Sequence, residues 1–283
     1  MPWTRVPQGQ NEMDGDRPIS YRDSIREAID QALIQDPSVF VIGLDADDQF
    51  GVYGTTLDLT HSERVIGTPV SENAMTGVAL GAAVSGMRPI HIHMRCDFLM
   101  VAMDQIVNYV AKWRHMYRGK VNVPLVIRAI IGRGWGGGAQ HSQSLQSMFA
   151  HIPGLTVVMP STPYDVKGLF LESVRVDYPV IFIEHRWLYQ NTAHVPQEPY
   201  TLPIGKGIVR RSGNGLTVVA TSLAAAEVLA ACEGENLDVE LIDPRTVKPL
   251  DEEIILESVK KTGRLLAVDY DFPFAGFASE ICA

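Results

Sequence analysis

Four groups of residues in this sequence could do chemistry or shape a site for it, and each has an ordinary structural alternative. Glu72 follows the short strand-like run Arg64–Gly67 and the turn Thr-Pro-Val-Ser, so it falls in the first turn of a helix. A carboxylate there is favoured by the helix dipole. The same place is the carboxyl end of a parallel strand, where open α/β sheets bind ligands. His141 stands in the polar run Gln140-His141-Ser142-Gln143, just after a run of glycines. A titratable imidazole on a glycine-shaped loop can carry acid–base chemistry, or it can be a surface histidine. His91 and His93 alternate on one strand and share a face, which would suit a metal. No carboxylate pattern completes that ligand set, and packing is the better reading.

The fourth group is the glycine loop itself. Gly132, Gly134 and Gly137 satisfy GxGxxG after a strand, which invites a dinucleotide reading. The context argues against it. No acidic residue stands about 20 positions on to hold a ribose. No Gly-Lys-Ser/Thr follows to cradle a phosphate either. The glycines are better read as letting backbone turn sharply beside a ligand or partner.

The elements that must position these groups alternate between helical and strand-like patterns from residue 19 onward, the signature of an α/β protein with parallel strands. A helix begins at Ser20, with Tyr21, Ile25, Ala28, Ile29, Ala32 and Leu33 at helical spacing, and ends before Pro37. Val39–Leu44, Ile90–Met94, Pro124–Ile130, Leu155–Met159 and Val180–Glu184 read as buried strands. Between them the spacing predicts a Gly/Ala-rich helix over 74–86, a long helix from about Leu99 to Tyr117, and a helix over Pro163–Val176. Glycine inside a helix costs about 1 kcal/mol against alanine. Gly77 and Gly81 therefore predict close packing on that face. A Pro-containing polar stretch follows, and alternation restarts at Leu216–Thr221.

Composition sets the frame. At 283 residues the chain is long enough for two domains, and 46% hydrophobic with 20% charged residues is ordinary globular composition. The net charge of −9 makes nucleic acid an improbable partner, because such binding is driven by basic surface displacing counterions. No run of about 18 uncharged apolar residues occurs, so no membrane span is expected. The first 18 residues lack the apolar core of a secretory signal and read as a flexible tail. Three scattered cysteines without a CxxC pair fit a reducing, cytoplasmic setting and argue against a cysteine-based zinc site. The expected division is a tail over 1–18, a first domain over 19–190, a linker over 191–206 and a second domain over 207–283. A helix starting near Gly276 makes the second domain look cut short.

Taken together, TPVSENAMTGVALGAAVSGMRPI, then CDF with DQIVNYVAK, VPLVIR, GGGAQHSQS and HIPGLTVVMPSTPYDVKGL resemble the beta subunit of thiamine-diphosphate-dependent 2-oxo acid dehydrogenases, of the pyruvate or branched-chain type. The likeness continues through PVIFIEHRWLY, LPIGKG, IDPRTVKPLD and SVKKTGRLLAVD and covers about residues 19–283 in order. It implies a transketolase-like, parallel-sheet pyrimidine-binding domain followed by a transketolase C-terminal-type α/β domain. It implies that Glu72 hydrogen-bonds N1′ of the coenzyme's aminopyrimidine, and that Met94 and Phe98 line the ring pocket. His141 matches the family's active-site histidine, facing the substrate carboxylate and the acyl group handed to a lipoyl arm.

The resemblance also implies missing parts. Family enzymes hold the diphosphate through Mg²⁺ on a Gly-Asp-Gly…Asn motif. The only Asp-Gly here, Asp14-Gly15, lies in the tail with no preceding strand. An alpha-type subunit carrying that motif is therefore expected, in an assembly of two alpha and two beta chains, with a lipoylated acyltransferase as further partner. The alternative is half of a split transketolase or carboligase, which would use the same Glu72 with a different acceptor. Three departures stand out. Gly43-Leu44-Asp45-Ala46-Asp47 replaces Gly-Glu-Asp-Val-Gly, and a customary acid is absent around Ile92. Arg175-Val176-Asp177-Tyr178-Pro179 replaces the Arg-Asp-x-x-Pro linked to potassium. The first two bear on the substrate and the third on a potassium site; none touches Glu72 or His141.

Overall fold

The computed structural model describes residues 17–283. The expected tail thus lies outside the described residues, except for Arg17 and Pro18. β1 (Pro18–Ser20) leads into α1 (Tyr21–Gln35), which begins where the sequence places it because Ser20 Oγ caps it, accepting from Asp23 N at 3.0 Å. β2 (Val39–Gly43), the distorted turn α2 (Gly51–Gly54), β3 (Val65–Gly67), α3 (Glu72–Val84) and β4 (Arg88–His93) follow. The long helix expected over 99–117 is three pieces: a 3-10 turn at Cys96–Met100, a π-helical stretch at Asp104–Val110, and α4 (Ala111–Met116). Its apolar positions Ile106 and Val110 are buried as the periodicity requires, but the backbone widens between them. Such π segments gather near functional sites.

β5 (Val126–Ile131), α5 (Gln146–His151), β6 (Thr156–Val158), α6 (Pro163–Arg175), β7 (Val180–His185) and β8 (Thr192–His194) complete the first half. The second half is β9 (Ile208–Arg211), β10 (Leu216–Ala220), α7 (Leu223–Gly234), β11 (Val239–Asp243), β12 (Thr246–Lys248), α8 (Glu252–Thr262), β13 (Leu265–Val268) and α9 (Phe277–Cys282).

The larger sheet has seven strands in the order β12-β6-β7-β5-β4-β2-β3, parallel throughout except for β12. Alternate residues of each strand feed two cores. Ile90, Val126 and Ile130 face α1 and α6 on one side. Ile42, Ile127 and Ile131 face α3 and the 96–111 segment on the other. The smaller sheet runs β13-β10-β11-β9, with β9 antiparallel to β11.

The two halves are fastened together. β12 crosses back to the edge of the larger sheet. Arg245 reaches Asp165 of α6 at 3.3 Å, and Arg210 pairs with both Asp165 and Asp243. Segment 191–206 runs along α6: Val195, Tyr200 and Leu202 are buried, and Lys167 Nζ donates to the carbonyls of Pro196 and Gln197 at 2.6 and 3.0 Å. Among the described residues no helix is long and apolar enough to cross a membrane.

Candidate functional site

In a parallel sheet every strand points its carboxyl end to the same edge, so the loops after β2, β3, β4 and β5 cluster there. Leu44 follows β2, Thr68 to Ser71 follow β3, and Met94 follows β4; all of them line one hollow. Glu72, Met94 and Phe98, three of the residues singled out in the sequence, line it as well. Glu72 opens α3 and is half-buried; among the described residues its carboxylate has no hydrogen bond or ion pair.

His91 and His93 form the floor. His91 ties β4 to the first turn of α3: its Nε2 lies 3.0 Å from Thr76 Oγ1, which donates to the Glu72 carbonyl at 2.7 Å. Its Nδ1 faces the Ile42 carbonyl at 3.2 Å. Burial pushes its pKa down to about 4, so it is a neutral positioning group. His93, edge-on to it at 4.3 Å, is likewise held neutral by burial, and its Nε2 is buried without a partner. Among the described residues no three His, Cys, Asp or Glu side chains converge as a metal site.

His141 reaches the same region from β5. The glycine loop needs backbone that only glycine adopts cheaply. Gly132 and Gly134 have φ of +132° and +103°, and a Cβ on either would press on Trp135 or Trp187. The loop ends in a one-turn 3-10 helix, Ala139–His141. The His141 ring then meets Phe98 edge-on, centroids 5.2 Å apart and planes at 88°. Asp97 pins this arrangement, because its buried Oδ1 accepts from Gln143 Nε2 at 2.8 Å and Gln143 N at 3.3 Å. The hollow and the histidine loop are thus joined through the Cys-Asp-Phe segment.

Several neighbours escaped the sequence reading. Asp97 was passed over as part of a motif, although its place beside Phe98 was a usable signal. Arg95, Trp135, Arg186 and Trp187 form an aromatic–guanidinium cluster. The indoles stack at 4.6 Å, and the Arg186 Cζ lies 4.6 Å from the Trp135 ring and 4.1 Å from that of Tyr53. His185, at the end of β7, accepts from Trp187 N at 3.2 Å through Nδ1, and burial lowers its pKa to about 4. Asp177, in the segment 175–179 where the sequence departs from the family pattern, is paired with Arg88 at 2.6 Å.

An apolar hollow at the carboxyl end of a parallel sheet, with a free carboxylate on its rim, is the kind of place where α/β proteins bind a ligand. Residues 17–192 match the family described as transketolase, pyrimidine binding domain, and residues 205–283 match transketolase, C-terminal domain. The chain is 44% identical over 282 residues to the acetoin:2,6-dichlorophenolindophenol oxidoreductase subunit beta of Cupriavidus necator, covering 94% of this chain and 83% of that one. It is 41% identical to the 2-oxoisovalerate dehydrogenase subunit beta of Bacillus subtilis, and 41% to the pyruvate dehydrogenase E1 component subunit beta of Rickettsia conorii, with the same coverage. A solved split-gene transketolase, an inactive beta4 tetramer, superposes with a TM-score of 0.75 at 21% identity, covering 93% of this chain and 84% of that one; this shows the fold. The chain belongs to the transketolase-like family of thiamine-diphosphate-dependent enzymes, among the beta subunits of its two-subunit dehydrogenases. Membership implies dependence on that coenzyme and an alpha partner.

The residues present suit the ring end of the coenzyme. A flat aminopyrimidine needs apolar walls and a carboxyl facing a ring nitrogen. The hollow offers the Phe98 and Met94 side chains, the free Glu72 carboxylate and the unpartnered His93 Nε2.

Proposed function

We propose that this chain is the ring-holding beta subunit of a 2-oxo acid dehydrogenase, which with its alpha subunit decarboxylates a 2-oxo acid oxidatively and passes the acyl group to a lipoyl carrier. The observation that carries this reading is the meeting of Glu72, Met94 and Phe98 on one hollow, with His141 held against Phe98. The coenzyme supplies carbanion stabilisation next to a carbonyl. Glu72 would hold the aminopyrimidine end of the coenzyme through its free carboxylate and would supply general acid–base help at a ring nitrogen. Met94 and Phe98, which line the hollow, would pack against the ring. His141 donates to, or carries a proton for, the substrate carboxylate and the acyl acceptor.

The remaining parts belong to partners. The alpha subunit holds Mg²⁺ and the diphosphate, in an assembly of two alpha and two beta chains, and a lipoylated acyltransferase receives the product. In support, the face of α3 that carries Ala74, Val78 and Gly81 is exposed and apolar beside the hollow, and Gly81 has nothing within 4 Å of a Cβ position. Domain limits at 19–190 and 207–283, joined by 191–206, and a cytoplasmic setting, consistent with three free cysteines, belong to the same proposal.

The relative at 44% identity, whose name carries acetoin, supports a second reading in which the pair works on an acyloin or as a carboligase half. Assay of the assembled alpha and beta chains decides between them. Acylation of a lipoyl domain from a panel of 2-oxo acids is the expected result. Turnover confined to acyloins or sugar phosphates overturns the first reading, and turnover by the beta chain alone overturns the shared site.

A further inference from the structure

Arg95, Arg133 and Arg186 stand on loops at the carboxyl-end edge of the large sheet, and none has a carboxylate partner among the described residues. That is unusual in a chain with 33 acids and a net charge of −9. Arg95 is the sharpest case. Its side chain is only 7% exposed, and its Nη1 is buried with no hydrogen-bond partner. A buried cation left unpaired is strongly destabilising, so such a group marks a place where an anion completes the structure.

The surroundings define that anion. Arg95 follows Met94 directly, so its guanidinium starts one residue from the wall of the coenzyme hollow. Its Cζ lies 5.9 Å from the Trp135 ring, while Arg186 is sandwiched between Tyr53 and the same indole. Trp135 is itself held by stacking on Trp187, whose Nε1 donates to the Arg133 carbonyl at 2.8 Å. Aromatic contacts occupy the faces of a guanidinium and leave its N–H edges free, the edges that bind a carboxylate bidentately.

We infer that Arg95 and Arg186, with Trp135 between them, form an anion subsite next to the hollow that takes the distal carboxylate of a 2-oxo dicarboxylic acid. The indole packs on the aliphatic body of the substrate and the two forks hold its far end. This deepens the functional reading above and rests on it for the reacting end of the substrate; binding at the far end rests on the cluster alone.

The test uses the alpha–beta complex. Glutarate, a non-reacting diacid, is titrated against the fluorescence of Trp135 and Trp187, with butyrate and inorganic phosphate as controls. In parallel, kcat/KM is compared for 2-oxoglutarate and the monoacid 2-oxopentanoate. The expected result is saturable quenching by glutarate that butyrate does not reproduce, and a diacid-to-monoacid ratio that falls at least tenfold in Arg186→Gln. Arg186→Lys, which keeps charge without the fork, recovers part of it. Because Arg95 is buried, Arg95→Lys is used in place of a truncation, with the same ratio as readout.

Equal response to glutarate and butyrate, a stronger response to phosphate, or an unchanged ratio in Arg186→Gln overturns the subsite. So does a rise in KM for the lipoyl domain with no change in the ratio, which would assign the cluster to an acidic carrier protein. The fluorescence arm needs no turnover. Glutarate binding without keto-acid turnover would sink the dehydrogenase reading and keep the subsite, whereas turnover without glutarate binding sinks the subsite alone.

Discussion

Replacing Asp97 by alanine separates the two halves of the site. Asp97 does not line the hollow; it holds the His141 loop against Phe98 through one good bond to Gln143 Nε2 at 2.8 Å and a longer one to Gln143 N at 3.3 Å. Hydrogen bonds to a charged acceptor contribute about 1.5–3 kcal/mol each, with the longer one at or below the low end. Losing both weakens docking of the loop by about 2–3 kcal/mol, or about 30- to 150-fold at roughly 1.4 kcal/mol per decade. Part of that is absorbed by reserve in the docking equilibrium, so a loss of about 10- to 100-fold is expected in the step that uses His141. Glu72 and its support through Thr76 and His91 are untouched. In the assembled complex, single-turnover acyl transfer should therefore fall by that factor, while hydrogen–deuterium exchange at coenzyme C2 stays within about threefold. Asp97→Asn keeps an acceptor and should lie between. Equal losses in both readouts, or undiminished acyl transfer, would refute the proposed division of labour.

Three further outcomes concern stability. His91 is neutral in the fold with a pKa of about 4, against an ordinary value near 6.5. Because the unfolded chain binds the proton first, stability should drop by up to about 3 kcal/mol as pH falls from 6.5 to 4, and His91→Gln should flatten that slope in urea titrations. Asp269 behaves oppositely: burial raises its carboxyl to about 6, so the fold loses stability as pH rises from about 4 to 6. Asp269→Asn, still able to bond Gln146, should raise Tm at pH 8 by an amount worth up to about 3 kcal/mol and leave it unchanged at pH 4. Arg128 and Glu184 are a fully buried pair bonded at 2.8 Å, with Tyr189 OH also donating to the carboxylate at 2.8 Å. Arg128→Met strands that carboxylate and should cost about 3–5 kcal/mol by urea unfolding; a loss below 1 kcal/mol would show that the pair is not needed.

Much of this was legible in the sequence where a pattern is local. α1 could be read from its apolar spacing and serine cap, and the strands around Val41, Ile92, Ile127 and Ile181 from their short apolar runs. Glu72 was legible for the same reason: a strand end, a turn and a helix start fix its place without long-range information. The departures come from tertiary context. Nothing between Leu99 and Tyr117 signals that the helix widens at Asp104–Val110, since Ile106 and Val110 suit either geometry. The return of Thr246–Lys248 to the far edge of the first sheet depends on a pairing nearly 90 positions away from Thr156–Val158, which no local pattern encodes. The Arg95–Trp135–Arg186 cluster was missed because its members are scattered over three loops. A tryptophan inside a glycine run was the available sign, since an indole there has no local element to pack on.

The claim on which the account rests is that Glu72 is the proton partner of the coenzyme ring. Hydrogen–deuterium exchange at thiazolium C2, followed by NMR on quenched samples of the alpha–beta complex, tests it most directly. Glu72→Gln should slow exchange to the rate of free coenzyme while leaving the coenzyme bound. Exchange in Glu72→Gln within a few-fold of the unaltered complex would contradict it and remove this carboxylate from the chemistry.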